Sequence, residues 1–242
     1  MNYTNFYKNN ATAVHEGHFQ KKWYHYVLAH DDRYSVVSHK LNKLLFNKHY
    51  KILDIACGTW IYERMLDPKI RKQQHIVGVD ISESQINFSN NIFNEILIHN
   101  IENKLPYDSE TFNVVILSEI IEHLFDPEII IEECYRLLKK WWLLIVTTPN
   151  ISSIQNRLSF ALFGNSKEVD YFYNKQHIRF YSKKTLKYLF SKFSLEYSRW
   201  LACLYFFWSH FPIFIPVPLF LQKIFSLIFT NSWAWFLKIY KK

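Results

Sequence analysis

KILDIACGTW, Lys51 to Trp60, is a short apolar run that breaks into a turn of small residues. Ile52, Leu53 and Ile55 surround one acidic residue, Asp54, and the run is too short for an independent helix. Runs of this kind suit a parallel strand covered on both faces, because neither face meets water. Gly58 falls in the turn where the strand ends. In open parallel sheets ligands bind at such a turn, beyond the carboxyl end of the strand, where backbone approaches them closely.

Similar runs come later in the chain: HIVGVDI (75–81), EILIHNI (95–101), FNVVILS (112–118) and LLIVTT (143–148). FSLEYSRW (193–200) and WFLKIYKK (235–242) alternate like strands, which brings the expected number to seven. Helical patterning lies between them. The best-marked helix begins at Asp126, an N-cap, with Pro127 at its first position and Glu128 in its first turn. Ile130, Ile131, Cys134, Leu137 and Leu138 repeat at helical spacing, and Lys139 and Lys140 suit a C-terminal dipole. Other helices are expected around Tyr34–Phe46 and from Ser182 to Lys192. Strand–helix alternation predicts an α/β fold, a doubly wound Rossmann-like sheet with right-handed crossovers. The expected organisation is an N-terminal helical cap (1–44), a main domain (45–200), an apolar insertion (201–232) and a final strand (233–242).

Composition narrows the classes. A chain of 242 residues with 49% hydrophobic content can bury a core and is not of the disordered class. The net charge of +8 fits an anionic neighbour, or simply a lysine-rich solvated surface. Cys57, Cys134 and Cys203 are odd in number and lack metal-ligand spacing, so a reduced cytoplasmic setting and no metal site are expected. The polar N-terminus has no apolar signal core. Asp80 lies 22 positions beyond Gly58 and ends the second strand, where a carboxylate can accept hydrogen bonds from ribose hydroxyls.

In these residues the chain resembles the class I S-adenosylmethionine-dependent methyltransferases, in particular their ubiquinone-biosynthesis-like domains. That family's first motif is roughly D-x-G-C-G-x-G and stands here as D-I-A-C-G-T-W, Asp54 to Trp60. GVDIS (78–82), NKLPYDSETFNVVILSEIIEHL (103–124), RLLKKWWLLIVTTPN (136–150) and HIRFYSKKTLKYLF (177–190) are similar to successive family segments in order. The resemblance implies an antiparallel last strand and S-adenosylmethionine as cofactor. It implies that Asp54 positions the methionine amino end, and that the backbone of Ala56 and Gly58 lines the cofactor. Asp80 would hold the ribose and Ile81 would pack on the adenine. Asn100 and Ile101 stand beside the adenine amino group where the family has Asp and an apolar residue; Asn keeps a carbonyl acceptor. Ser118 and Glu119 would border the methyl-transfer centre.

Trp60 stands at the family's last motif glycine, and Trp141 and Trp142 at a Gly-Gly pair after a helix. An indole crowds a cofactor turn, and a bulky residue is costly where a helix ends left-handed. The chain holds 4 glycines and 8 tryptophans, where ordinary usage of roughly 7% gives about 17 glycines. Some bacterial lineages read UGA as glycine, and translating such a gene with UGA as Trp produces this pattern. The rival expectation is a genuine Trp60 in a catalytically inactive binding protein.

For methyl transfer to oxygen, His123 and Glu119 are the candidate acid/base residues, with Glu122 and His177 behind them. The expected activity is O-methylation of a small, lipid-linked or glycan acceptor. No Asn/Asp-Pro-Pro-aromatic motif for base handling comes after the fourth strand, where Ser118-Glu119-Ile120-Ile121 stands, so nucleic acid is not an expected partner. The stretch 201–230 has only Lys223 as a formal charge and contains Pro212, Pro216 and Pro218. It reads as a lid, an interfacial anchor at the inner membrane face, or a span interrupted by proline.

Overall fold

The computed structural model describes residues 32–58, 66–83, 92–166, 168–170, 175–191, 195–204 and 230–239. Helix α1 (Asp32–Leu45) buries Val37, Leu41 and Leu45, one residue per turn along one face. Asn47, just beyond it, sits at φ 53, a left-handed conformation that Asn tolerates. Strand β1 (Lys51–Ile55) comes next, then α2 (Pro68–Lys72), β2 (His75–Asp80), β3 (Glu95–Ile98) and β4 (Phe112–Ser118). A 3-10 turn over Ile121–His123 leads into α3 (Pro127–Leu137) and β5 (Leu138–Pro149). Helices α4 (Ile154–Phe163) and α5 (Lys183–Ser191) precede β6 (Leu195–Leu204) and β7 (Thr230–Ile239).

The strands lie in the order β3-β2-β1-β4-β5-β7-β6. The first five are all parallel, with Asp54 opposite Gly78 on β2 and Ile116 on β4. Strand β7 runs antiparallel to both β5 and β6. Alternation along each strand feeds two cores. Leu53, Val77, Val115 and Leu144 face α3 and α5, whereas Ile52, Ile76, Val114 and Ile145 face α1. Burying such a side chain contributes about 1.5–3 kcal/mol, so both faces of the central strands are needed to order the sheet.

Asp126 caps α3 by accepting the Glu128 N–H at 3.1 Å, and Ile130, Ile131, Cys134 and Leu137 are buried. The helix stops at Leu137, earlier than the lysines suggest. Leu138 is already extended and pairs with Phe112, while the next pair is Val114 with Leu143. Lys139–Trp142 therefore form a bulge in β5 rather than a helix end. Ser182 caps α5 through the Thr185 N–H at 3.2 Å.

The expected apolar insertion begins inside β6, since Leu201–Leu204 continue that strand. Residues 1–31 and 205–229 lie outside the described residues, and with them most of the expected cap and of the insertion. Leu204 pairs with Thr230 and Ser232 with Pro149, so the chain leaves and re-enters the sheet at the carboxyl end of β5. Among the described residues, no helix is long and apolar enough to cross a membrane.

Candidate active site

The turn after β1 is held from β2. The Cys57 N–H donates to the Val79 carbonyl at 3.1 Å, and the Gly58 N–H donates to Asp80 Oδ2 at 2.9 Å. Asp80 Oδ1 accepts the Ser82 N–H at 2.8 Å. Ala56 (φ 57) and Gly58 (φ 44) are both left-handed, which curls the backbone at the carboxyl end of the sheet. Gly58 adopts this freely, whereas Ala56, at a family glycine position, does so at a cost of about 1 kcal/mol. Asp54 and Asp80 are both buried.

A carboxylate offers about four acceptor sites, so Asp80 can receive ligand hydroxyls while it clamps the turn. The chemistry of this set fits a ribose-bearing cofactor. Ile81, next in the chain, is half-buried. Asn100 Oδ1 accepts the Glu102 N–H at 3.0 Å, and its main-chain carbonyl accepts the Asn103 N–H, so this residue builds a turn. Ile101 packs its side chain into the core with Leu105 and Leu124. Trp60 lies outside the described residues.

The second half of the site gathers after β4. Ser118 Oγ and Thr147 Oγ1 lie 2.7 Å apart across the β4–β5 ladder. Glu119 is left-handed at φ 51, and its N–H donates to the Thr147 carbonyl. Backbone strain of this kind on a non-glycine residue concentrates at functional sites. Glu122 is buried; Thr148 donates its hydroxyl to Oε2 at 2.9 Å, and the Glu122 carbonyl accepts N–H groups from Ile178 and Arg179. These bonds make Glu122 an anchor between β5 and the 177–181 segment.

His123 Nδ1 lies 3.0 Å from the Gln176 carbonyl, which can only accept, so Nδ1 carries the proton and Nε2 the lone pair. Burial holds the His123 pKa below its ordinary value, against the opposing pull of the Gln176 carbonyl and Glu119. The His177 ring meets His123 edge-on, with centroids 4.8 Å apart, and His177 Nδ1 lies 3.9 Å from Glu168 Oε2. Donor atoms of Glu122, His123 and His177 come within 4.8 Å of one another. Among the described residues these three side chains form a group that could hold a metal ion, where the cysteine spacing gives no expectation of one. The sequence could not show the grouping, because 54 positions separate His123 from His177. Gln176, Thr148 and Glu168 carried no signal of their own.

A groove of about 600 Å³ runs along α3 past Ile101, Lys104, Glu110 and Arg136.

A family model described as a methyltransferase domain matches residues 28–198. The mitochondrial ubiquinone biosynthesis O-methyltransferase of Bos taurus is 31% identical over 137 residues, covering 53% of this chain and 35% of the relative. The demethylmenaquinone methyltransferase of Listeria welshimeri is 28% identical over 126 residues, covering 46% of this chain and 53% of the relative. The matches thus span about a third to a half of these relatives' lengths. A solved methyltransferase of Thermotoga maritima, described as a possible histamine N-methyltransferase, superposes with a TM-score of 0.63 at 23% identity, covering 91% of this chain and 95% of that one. One from Archaeoglobus fulgidus gives 0.58 at 19% identity, covering 85% and 94%. These two likenesses concern the fold.

Proposed function

This chain belongs to the S-adenosylmethionine-dependent methyltransferase family, and on that premise we propose that it methylates a hydroxyl oxygen of a small or lipid-linked acceptor. The observation that carries the reading is the Gly58–Asp80 clamp, which sets a buried carboxylate at the end of β2 beside a curled backbone turn. Asp80 would receive the ribose hydroxyls, Asp54 the methionine amino end, and Ile81 and Asn100 the adenine. The cofactor, when bound, supplies a methyl group on a sulfonium. The chain's own residues align the acceptor, and alignment can provide most of the rate. His123, neutral and with Nδ1 fixed on Gln176, presents Nε2 to take the hydroxyl proton, and Glu119 stands near enough to stabilise the imidazolium that forms.

The names of the bovine and Listeria relatives support a quinone-like ring as acceptor. Transfer of labelled methyl to catechols and quinols, compared with glycans and RNA, tests this reading. His123→Gln should lower turnover on the best acceptor about 10²-fold or more while cofactor binding stays intact. Transfer to RNA alone would overturn it.

We propose further that residues 60, 141 and 142 are glycine in the protein as made by its organism. Trp141 favours this: it sits at φ 67, a conformation that costs a bulky residue about 1–2 kcal/mol. Trp142 does not share that demand; among the described residues with positive φ it is absent, and it packs edge-on against Tyr50 with centroids 4.5 Å apart. UGG at codons 60, 141 and 142 of the coding DNA would sink the proposal, and leave an inactive methyltransferase fold as the reading of Trp60. For 201–230, the proposed role is contact with a lipid surface near the acceptor. Flotation with anionic liposomes should require residues 205–229; equal flotation without them would remove it.

A further inference from the structure

Helix α4 is inside out for a helix in water. Among its described side chains the buried one is Asn156, whose Nδ2 donates to the Asn150 carbonyl at 2.8 Å and ties the helix to the end of β5. Leu158, Phe160, Leu162 and Phe163 are exposed, the last two by 71% and 79%. A helix on an aqueous surface turns such residues toward the core. Apolar residues exposed singly are ordinary, whereas a contiguous set marks a contact surface. We infer that α4 docks on an anionic lipid surface, with its apolar residues among the headgroups and the surrounding basic residues against the phosphates.

Charge favours lipid as the occupant. Residues 150–165 and 175–191 carry Arg157, Lys175, Arg179, Lys183, Lys184 and Lys187 and no acidic residue. The two segments run together: Asn150 bridges Tyr181, and the Ile151 N–H donates to the Tyr181 carbonyl at 3.1 Å. Burial, and after it the Lys187 ammonium, hold the Lys183 pKa below the usual lysine value, and an anionic surface would offset the second cause. The acidic groups between the segments face other partners. Asp170 accepts from Asn165 Nδ2 at 2.7 Å, and Glu168 Oε2 stands 3.9 Å from His177 Nδ1. Two copies of the chain meeting through α4 would bring like charges together, which an anionic bilayer does not.

The apolar surface also continues beyond the helix. Ile178 and Phe180, on the segment that passes Asn150, are exposed, whereas Tyr181 is buried. Helix α4 begins just beyond β5, and the chain leaves the sheet after Leu204 and returns at Thr230 at that same strand end. The inference goes beyond the lipid contact proposed for 201–230, since it names different residues and either can fail alone. A single interfacial element binds weakly and reversibly, and two acting together hold.

The test is flotation of the full-length protein with phosphatidylcholine vesicles containing phosphatidylglycerol, beside vesicles of phosphatidylcholine alone. The parent should float with the first and detach as salt is raised, because salt screens exposed charges. Leu162→Gln with Phe163→Gln should weaken binding about tenfold or more, since the helix then brings far less apolar area to the interface. Arg157→Gln with Lys184→Gln should weaken it about tenfold on the anionic vesicles and leave the neutral ones unchanged. All four positions are exposed, so thermal unfolding of the variants should match the parent. Parental flotation of the Leu162/Phe163 variant overturns the inference, and so does a parental dimer that this variant converts to monomer in light scattering. Flotation untouched by that variant yet lost without residues 205–229 strikes α4 alone; the reverse pattern strikes 201–230 alone. A parent that does not float overturns both.

Discussion

Replacing Trp141 by glycine should cost the fold almost nothing, while the same change at its neighbour Trp142 should be severe. Trp141 is left-handed at φ 67 and 63% exposed. Glycine relieves about 1–2 kcal/mol of backbone strain there. The buried third of the indole amounts to roughly 60–90 Å², worth about 2 kcal/mol at about 25 cal/mol per Å². The two terms nearly cancel, so Trp141→Gly should change stability by no more than about 1 kcal/mol. Trp142 has no strain to relieve. It packs on the core cluster under α3 and edge-on against Tyr50, a contact worth about 0.5–1.5 kcal/mol beyond its burial. With the entropy of a strand glycine added, Trp142→Gly should cost about 4 kcal/mol. Urea unfolding of the two variants beside the parent reads the difference directly. Equal losses within about 1 kcal/mol would refute the assignment of strain to position 141.

Asp80→Ala should destabilise the chain by about 2–4 kcal/mol, since the Gly58 and Ser82 N–H groups lose their acceptor, and it should abolish cofactor binding; unfolding curves and calorimetry check the two parts. Arg136 donates to Glu133 and to the Leu105 and Tyr107 carbonyls, tying α3 to the 105–107 loop. Burial alone raises the Glu133 pKa, but the bonds from Arg136 and the Leu105 N–H outweigh it and hold the carboxyl below its ordinary 4.5. The unfolded chain therefore binds the proton first. This stability is present above pH 4.5 and is lost as pH falls through the depressed native value; Arg136→Gln should flatten that acid limb in denaturation series run from pH 7 downward. His123 acts with the same sign nearer neutrality. Burial keeps it neutral in the fold, so stability should fall below the ordinary histidine value of 6.5, and His123→Gln should remove that component.

The parallel core was legible because apolar runs of strand length state burial on both faces; Leu53 and Ile52 enter opposite cores as the pattern requires. The Asp126 cap was legible because capping is local chemistry. The end of α3 was not. Lys139 and Lys140 suit a helix terminus, but Leu138 gains more by pairing with Phe112, a partner 26 positions away. Asp80 showed its place through spacing, yet its two backbone bonds appear only once the β1 turn folds against it. Asn100 holds its own turn, and Ile101 goes to the core, which spacing could not distinguish from cofactor contact. His177 was the weakest of the catalytic candidates. Its edge-on contact with His123 joins residues 54 positions apart and so carries no sequence signature.

The turn from Lys51 to Trp60 bears the central claim, and calorimetric titration of S-adenosylmethionine into the chain carrying Trp60→Gly tests it most directly. Saturable binding that disappears on adding Asp80→Ala is the predicted result. No binding heat in the folded Trp60→Gly chain would contradict the claim.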